Sequence, residues 1–309
     1  MEKVGFLGLG NMGKLMALNL VKAGYPLVTC AHTRRSPVDE LVDEGAAEKS
    51  NPREVVESSD IVILCLPDHH AVVDVLNAPD GILFGLSAGK IVVDTGTTGL
   101  AVTRECVSAV EELGAEWIDA PISGGIWGAQ AGTLTFMVGG NEQAVEQVRS
   151  ILESMGDLIV HVGSSGAGQV TKLVNNLMAS ISTVAVSEAF SLGVKAGVDV
   201  KALFEVVTHS SGNNWVLGNA APLTIFAGDY QPGGRLKTML KDLRLTQEVA
   251  RDMGAPLLLG DLVGGLYTLM VSKGHGEEDA DVVARFYEDI LGISLVSPEF
   301  QKEKDAGNG

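Results

Sequence analysis

The chain has 309 residues, which is long enough for two domains and at least one sizeable hydrophobic core. Charged residues make up only 20% of it and aliphatic residues dominate, so its composition is that of a globular protein and excludes a disordered one. The formal net charge of −17 argues against nucleic acid as a main partner, because phosphate is repelled by an acidic surface. A small anionic substrate remains compatible with it, because a site can be locally positive.

Three cysteines, Cys30, Cys65 and Cys106, are widely spaced in apolar surroundings. This spacing predicts buried thiols in a reducing compartment, with no disulfide framework and no metal site. The N-terminus lacks the basic region and apolar stretch of a signal peptide, and no uninterrupted apolar run reaches the roughly 18 residues of a membrane span. We therefore expect a cytoplasmic protein with no membrane partner.

The first motif is a glycine-rich turn between a strand and a helix. Val4–Leu7 is predicted to be a buried strand, and it runs directly into Gly8-Leu9-Gly10-Asn11-Met12-Gly13, after which a helical pattern continues to Gly24. In this setting GxGxxG is typical of dinucleotide binding. The first glycine makes the tight turn, the second lets a pyrophosphate approach the backbone, and the third lets the helix pack on the strand. Ordinary turn glycines are the alternative.

The next strand, predicted over 27–31, ends at a basic segment. In NAD-binding proteins an acidic residue at this position accepts a hydrogen bond from the ribose 2′-hydroxyl. Here the segment is His32-Thr33-Arg34-Arg35-Ser36, and the first carboxylate is Asp39. Two arginines and two hydroxyls suit a 2′-phosphate, so the segment favours NADP(H) over NAD(H). A solvated basic loop is the alternative.

Alternating strands and helices then continue, which predicts a doubly wound parallel sheet. Helices are predicted over 52–58, 101–113 and 142–155, and strands over 61–65, 91–94, 117–119, 133–138 and 158–162. Ligands of such sheets lie beyond the carboxyl ends of the strands. This rule places Leu66, Pro67 and Thr95 near the cofactor, although ordinary loop residues would look the same.

A second glycine-rich segment follows the strand over 117–119. Ser123, Gly124 and Gly125 provide a hydroxyl beside backbone N–H groups that no side chain crowds. Such an array can hold a carboxylate, and tight turns are the alternative reading.

From Gly168 onward the pattern is helical. A central helix is predicted up to about residue 196, and Lys172 and Asn176 share one of its faces, with Asn175 at the edge. Further helices are predicted over 200–208, 236–253, 256–272 and 281–291. The polar stretch 297–309 is predicted to be frayed. We thus expect a domain over 1–165 and an all-helical domain over 166–296.

Four stretches together resemble the β-hydroxyacid dehydrogenase family, in the family's order: VGFLGLGNMGKLMALNLVKAG, DAPISGGIWGAQAGTLTFMVGG, GAGQVTKLVNN and KDLRL. The resemblance implies an N-terminal Rossmann domain, a long linking helix and an all-helical C-terminal domain. It also implies a homodimer or homotetramer formed through the helical domain.

The resemblance assigns roles to individual residues. Lys172 matches the catalytic acid/base, Asn176 matches an asparagine that helps to hold the substrate, and Ser123, Gly124 and Gly125 match the loop that grips its carboxylate. Asn175 or Asn176 is expected to orient the substrate by hydrogen bonds. Lys241, followed by Asp242, matches a lysine at the cofactor and substrate end of the cleft. Thr95 matches a residue beside the nicotinamide ribose.

Some positions depart from the family pattern. His32-Thr33 stands where many members have Asn-Arg or Asp-Arg, the segment after Thr95 lacks a common proline, and Trp127 is bulky for its loop. Trp215, at the end of a polar segment, is expected to shape the specificity pocket.

The expected activity is hydride transfer between NADP(H) and a small carboxylate-bearing 3-hydroxyacid or semialdehyde. Two alternatives share the scaffold: an imine reductase, which usually lacks a lysine at the catalytic position, and a non-catalytic NADP-binding interaction module, which tends to lose the lysine and to carry a basic tail.

Overall fold

The structure is a computed structural model that describes residues 1–307, with the side chains up to residue 304. Two compact units divide the chain, Met1–Leu173 and the unit that begins at Val174. The boundary falls inside one long helix, a few residues beyond the predicted boundary between 165 and 166.

The first unit is built around one sheet. Its strands are β1 (Val4–Leu7), β2 (Leu27–Cys30), β3 (Ala47–Lys49), β4 (Ile61–Leu64), β5 (Ile91–Asp94), β6 (Glu116–Asp119), β7 (Ile122–Ser123), β8 (Leu134–Gly139) and β9 (Gly156–Gly163). Its helices are α1 (Gly13–Lys22), α2 (Ser36–Asp43), α3 (Pro52–Glu57), α4 (His69–Asn77), α5 (Leu100–Glu111), α6 (Gly125–Ala131) and α7 (Glu142–Glu153).

The strand order is β3-β2-β1-β4-β5-β6-β8-β7, with β9 beside β8. Strands β1 to β6 pair in parallel, whereas β8 runs antiparallel to β6. The order reverses at β1, which has β2 on one side and β4 on the other. In such sheets the ligand crevice lies at this reversal, outside the carboxyl ends of the strands. The predicted doubly wound Rossmann-type fold is confirmed.

The apolar run of β4 shows why these strands form a parallel sheet. Ile61 and Ile63 pack into a core with Met16 of α1 and Val148 of α7, whereas Val62 and Leu64 pack into the core on the opposite face. Since helices cover both faces, both sets of alternating side chains are apolar. Helices α2, α4 and α6 were not predicted from the sequence.

The second unit is helical. The helix α8 (Ala167–Lys195) begins in the first unit and continues into the second, which also contains α9 (Val200–Thr208), α10 (Leu236–Met253), α11 (Leu258–Met270), α12 (Ala284–Leu291) and α13 (Pro298–Gly307). Short π-helical turns cover Val216–Ala220 and Val271–His275, and a 3₁₀ turn covers Ala280–Val283.

The prediction of a frayed tail over 297–309 is wrong for its described part. Pro298–Gly307 is helical, and Phe300 is 2% exposed in the core of the second unit. Its ring lies 5.1 Å from that of Phe204 and 5.3 Å from that of Phe226. The polar residues around Phe300 also hold the helix in place: the Gln301 amide donates to the carbonyl oxygen of Ala227, and Lys304 pairs with Asp229. Residues 308 and 309 of the predicted tail lie outside the described residues.

Among the described helices, α8 alone has the length and composition of a membrane span, with a mean hydropathy of 1.5 over its most apolar window. No such span was expected from the sequence. The core helix of a soluble protein satisfies the same criterion. Only 33% of that window is buried, and Met178 and Leu192 are 62% and 71% exposed. One face of α8 packs into the second unit, where Thr183 and Ser187 are buried and the Thr183 hydroxyl donates to Asp281.

Candidate functional site

The three glycines of the turn after β1 are needed for different physical reasons. Gly8 has φ of +100°, and a Cβ there would lie 2.3 Å from the carbonyl oxygen of Cys65. A Cβ on Gly13 would lie 2.0 Å from the Gly8 carbonyl oxygen. The fold therefore requires both glycines. A Cβ on Gly10 would meet nothing within 4 Å, so the fold itself does not require this glycine.

The open space over Gly10 faces the start of α1. Among the described residues, no side chain caps α1 at Met12, although most helix N-termini need partners for their first N–H groups. Leu9 and Met12 are half-buried and Asn11 is exposed. The open space beside Gly10, the N–H groups at the start of α1 that no described side chain caps, and the positive end of the α1 dipole suit a pyrophosphate. Residues 8–13 thus fit the dinucleotide that the fold implies.

The basic segment after β2 holds two arginines in different environments. Arg35 donates to Glu48 through Nη2 at 2.7 Å and to Asp39 through Nε at 2.7 Å. These hydrogen bonds, with that to Glu48 the larger cause, raise the pKa of Arg35. Arg34 is exposed and forms no ion pair with any residue that the structure describes. Its neighbours His32 and Thr33 are exposed as well.

The end of β4 lies beside that of β1, and the end of β5 follows next in the sheet. Leu66 is half-buried and Pro67 is exposed. Thr95 is 2% exposed, and its hydroxyl donates to the carbonyl oxygen of Leu64 at 2.7 Å, as its own N–H does at 2.8 Å. In the described structure Thr95 thus joins the ends of two strands, and this hydrogen bond already uses its hydroxyl proton.

The segment after β7 places glycines in backbone conformations that other residues avoid. Gly124 has φ of +124° and Gly125 has φ of +61°. Nothing lies within 4 Å of a Cβ built on Gly125, and Ser123 beside it is half-buried. The Trp127 side chain, two residues further on, is 80% exposed. A hydroxyl and an open glycine backbone therefore stand together at this turn, where the sequence predicts a carboxylate site.

The start of α8 is attached to the sheet by Asp119, which sequence reasoning did not select. Asp119 is fully buried and accepts hydrogen bonds from the N–H groups of Gly166 at 2.6 Å and Gln169 at 2.9 Å. Burial raises the pKa of Asp119 to about 7, and these hydrogen bonds act in the opposite direction. Lys172 follows about one turn after Gln169 and is half-buried. The only sequence signal for Asp119 is its position at the end of a buried strand.

In the second unit four predicted residues form one connected chain. Asn175 donates to the Asn176 side-chain oxygen at 3.0 Å, and Asn176 donates to Asp242 at 2.6 Å. Lys241 pairs with the other oxygen of Asp242 at 3.1 Å. Asp242 is 3% exposed, so the Lys241-Asp242 pair does not belong to a solvated helix face.

The remaining predicted residue, Trp215, begins the π-helical turn Val216–Ala220 and is 72% exposed. No group of three or more His, Cys, Asp and Glu side chains in the described part of the chain could hold a metal ion.

Comparison with known proteins assigns these features to a family. A model of the NAD-binding domain of 6-phosphogluconate dehydrogenase matches residues 3–163, and a model for the NAD-binding region of NADP-dependent 3-hydroxyisobutyrate dehydrogenase matches residues 166–287. The chain is 41% identical to a probable mitochondrial 3-hydroxyisobutyrate dehydrogenase from Dictyostelium discoideum, with 92% of this chain and 90% of that protein covered.

Two further relatives are informative. An NAD-dependent L-serine dehydrogenase from Pseudomonas aeruginosa is 39% identical, over 94% of this chain and 100% of that protein. The structure of a Mycobacterium tuberculosis 3-hydroxyisobutyrate dehydrogenase with L-serine has a TM-score of 0.86 and 32% identity, over 93% of this chain and 99% of that one. The chain has a nicotinamide-dinucleotide domain and belongs to the β-hydroxyacid dehydrogenase family.

Proposed function

We propose that this protein transfers a hydride reversibly between NADP(H) and a small carboxylate-bearing 3-hydroxyacid or semialdehyde, with Lys172 as the general acid and base. The observation that carries the proposal is the position of Lys172. It is half-buried on α8, about one turn beyond the point at which this helix is attached to the sheet. A lysine is a useful acid and base near neutral pH when burial or a neighbouring cation lowers its pKa.

The residues after β1 and β2 would hold the cofactor, with the pyrophosphate at Gly10 and the start of α1. The nicotinamide, when bound, supplies the hydride in reduction and accepts it in oxidation. Lys172 Nζ donates a proton to the oxygen that develops negative charge when the carbonyl is reduced. In the opposite direction it removes the proton of the substrate hydroxyl.

The substrate carboxylate would bind at Ser123, Gly124 and Gly125, where a hydroxyl stands beside an open glycine backbone. Binding a remote carboxylate holds the reacting carbon in place, which is the proximity contribution to catalysis. The restrained amide of Asn176, fixed between Asn175 and Asp242, suits a residue that orients the substrate hydroxyl.

The cofactor preference for NADP(H) is proposed to depend on Arg34. Arg35 has both its Nε and its Nη2 committed to Asp39 and Glu48, whereas the guanidinium of Arg34 forms no ion pair among the described residues and can donate to a 2′-phosphate. The serine dehydrogenase relative is named as NAD-dependent, so the cofactor preference differs between proteins of this kind. The preference of this chain is therefore measured directly.

The experiment compares Lys172→Ala with Lys172→Arg. Arginine keeps the positive charge but does not deprotonate in proteins, so it cannot act as acid and base. Both variants are expected to lose about 100- to 10,000-fold in kcat, with the affinity for NADPH nearly unchanged. A Lys172→Arg enzyme with near wild-type turnover would show that only the charge matters and would contradict the proposed role.

A panel of short hydroxyacids and semialdehydes, each with its neutral alcohol or aldehyde counterpart, identifies the substrate class. Acids should be strongly preferred over neutral counterparts of the same size. An enzyme that reduces cyclic imines but no semialdehyde would favour the imine reductase alternative, and binding of NADPH without any turnover would favour the interaction module.

A further inference from the structure

The end of α8 that precedes Lys172 is fixed to the sheet through a fully buried carboxylate. Asp119, the last residue of β6, uses one oxygen for the N–H of Gly166 and the other for the N–H of Gln169. Gln169 lies in the first turn of the helix and Gly166 immediately precedes it, at a helix start whose N–H groups have no partner within the helix. Asp119 thus sets the position of this turn along the edge of the sheet.

The contact between this turn and the strands leaves no clearance. A Cβ on Gly168 would lie 2.3 Å from the Met137 carbonyl oxygen and 2.5 Å from that of Asp119. A Cβ on Gly139 would lie 2.7 Å from Asp119 Oδ1 and 2.8 Å from the Gly168 nitrogen. Helix and strand backbones therefore touch directly at this turn, so the hydrogen bonds of Asp119 act over a contact that cannot slide.

A second attachment comes from the side chain of Gln169. Its oxygen accepts from the N–H of Thr98 at 3.0 Å, and its amide nitrogen donates to the carbonyl oxygen of Gly96 at 2.9 Å. Thr98 in turn donates through its hydroxyl to Asp94, the last residue of β5. The first turn of α8 is thus tied to the ends of two neighbouring strands, β5 and β6, by side chains that are all buried.

The position of Lys172 follows from this arrangement, because residues three apart on a helix lie on nearly the same face and one turn of helix is stiff. We propose that Asp119, supported by Gln169, is a positioning residue that fixes the α-carbon of Lys172 relative to the ends of β5 and β6. The inference rests on the proposed acid–base role of Lys172. A misplacement of about 1 Å of a catalytic group can lower the rate about 100-fold.

The test uses Asp119→Asn, which preserves shape but places an amide N–H₂ against one of the two helix N–H donors. We expect kcat to fall about 10- to 100-fold, with the NADPH dissociation constant within about threefold of the wild-type value. Gln169→Ala removes the second attachment and is measured in the same way. The test can therefore still be made if one of the two variants fails to fold. Gln147→Ala, exposed on α7, is the matched control and should retain wild-type kcat.

The decisive measurement repeats both substitutions in Lys172→Ala, using single-turnover hydride transfer with enzyme in excess. If Asp119 acts through Lys172, Asp119→Asn should change the residual rate of the Lys172→Ala enzyme less than about twofold, because the residue that Asp119 positions is absent. The same 10- to 100-fold loss in both backgrounds, or an unchanged kcat of Asp119→Asn in the wild-type background, would overturn the inference. Near-normal turnover of Lys172→Ala alone would instead refute the proposed function.

Discussion

At the scale of single residues, the two arginines after β2 show which part of a binding site local sequence predicts and which part depends on tertiary structure. Sequence alone selects both Arg34 and Arg35 as candidate partners for a 2′-phosphate and favours Arg34, because it lies nearer the end of the strand. The structure separates them, because Glu48 of β3 lies beside Arg35 through the parallel pairing of Thr29 with Glu48. Which arginine is committed to a carboxylate thus depends on a strand pairing that the local pattern does not contain.

We therefore predict that Arg34→Ala lowers the ratio of kcat/KM for NADPH to that for NADH about tenfold or more. A hydrogen bond to a charged group contributes roughly 1.5–3 kcal/mol, and solvent exposure of this segment favours the lower end. Arg149→Ala, which removes the half-buried arginine of α7 that pairs with Glu146, should leave the ratio unchanged. A wild-type enzyme that prefers NADH, or an Arg34→Ala enzyme with an intact NADPH preference, would exclude this contact.

At the scale of elements, the helix α13 is the clearest difference between expectation and structure. Phe300 reaches a cluster with Phe204 and Phe226, and Lys201 lies over its ring with Nζ 4.5 Å from the centroid. The same residue thus makes both apolar and cation–π contacts, while the rest of the helix presents polar side chains.

Replacing Phe300 with alanine should lower the free energy of unfolding by about 3–5 kcal/mol, the usual cost of removing a buried aromatic ring. The neighbouring exposed Glu299→Ala should change it by less than about 0.5 kcal/mol. Urea unfolding followed by far-UV circular dichroism measures both. Equal stabilities of Phe300→Ala and Glu299→Ala would contradict the packing of this helix and favour the predicted frayed tail.

The elements that sequence predicts well share a physical cause. Strands β1, β4 and β5 are buried on both faces, so each is a continuous apolar run, and α8 and α10 are long enough for their periodicity to be clear. The glycine turn and Lys172 follow from local spacing. The attachment of Gln169 to Asp119 and the bond from Asn176 to Asp242 join residues 50 and 66 positions apart, and no local pattern encodes such contacts.

At the scale of the whole molecule, an acidic chain of net charge −17 also buries carboxylates. Asp281 is 4% exposed and accepts hydrogen bonds from the hydroxyls of Thr224 at 2.6 Å and Thr183 at 3.1 Å. Burial, and secondly the nearby Asp279 carboxylate, raise the pKa of Asp281 to about 6. As the pH rises, the unfolded chain, with the usual pKa of 3.8, therefore loses the proton of Asp281 at a lower pH than the folded state does.

The sign of the resulting pH dependence is fixed. Between about pH 4 and pH 6 the folded state binds more protons than the unfolded one, so the contribution of Asp281 to stability is present below pH 4 and lost as the pH rises through 6. Relative to wild type, Asp281→Asn should gain about 2–3 kcal/mol of stability between pH 4 and pH 7. The exposed Asp289→Asn serves as the control. Parallel stability curves for wild type and Asp281→Asn would contradict the raised pKa.

The three tryptophans of the chain differ sharply in exposure: Trp117 is buried at 1%, whereas Trp127 and Trp215 are largely open to solvent. Their emission should therefore separate into a shielded component and a component that soluble quenchers reach. Because Trp127 follows the Gly124-Gly125 turn in the first unit and Trp215 lies in the second, single-tryptophan variants made with phenylalanine give each unit its own optical reporter. If the proposed carboxylate site at Gly124 and Gly125 is correct, binding of substrate should change the fluorescence emission of Trp127, without any attached dye.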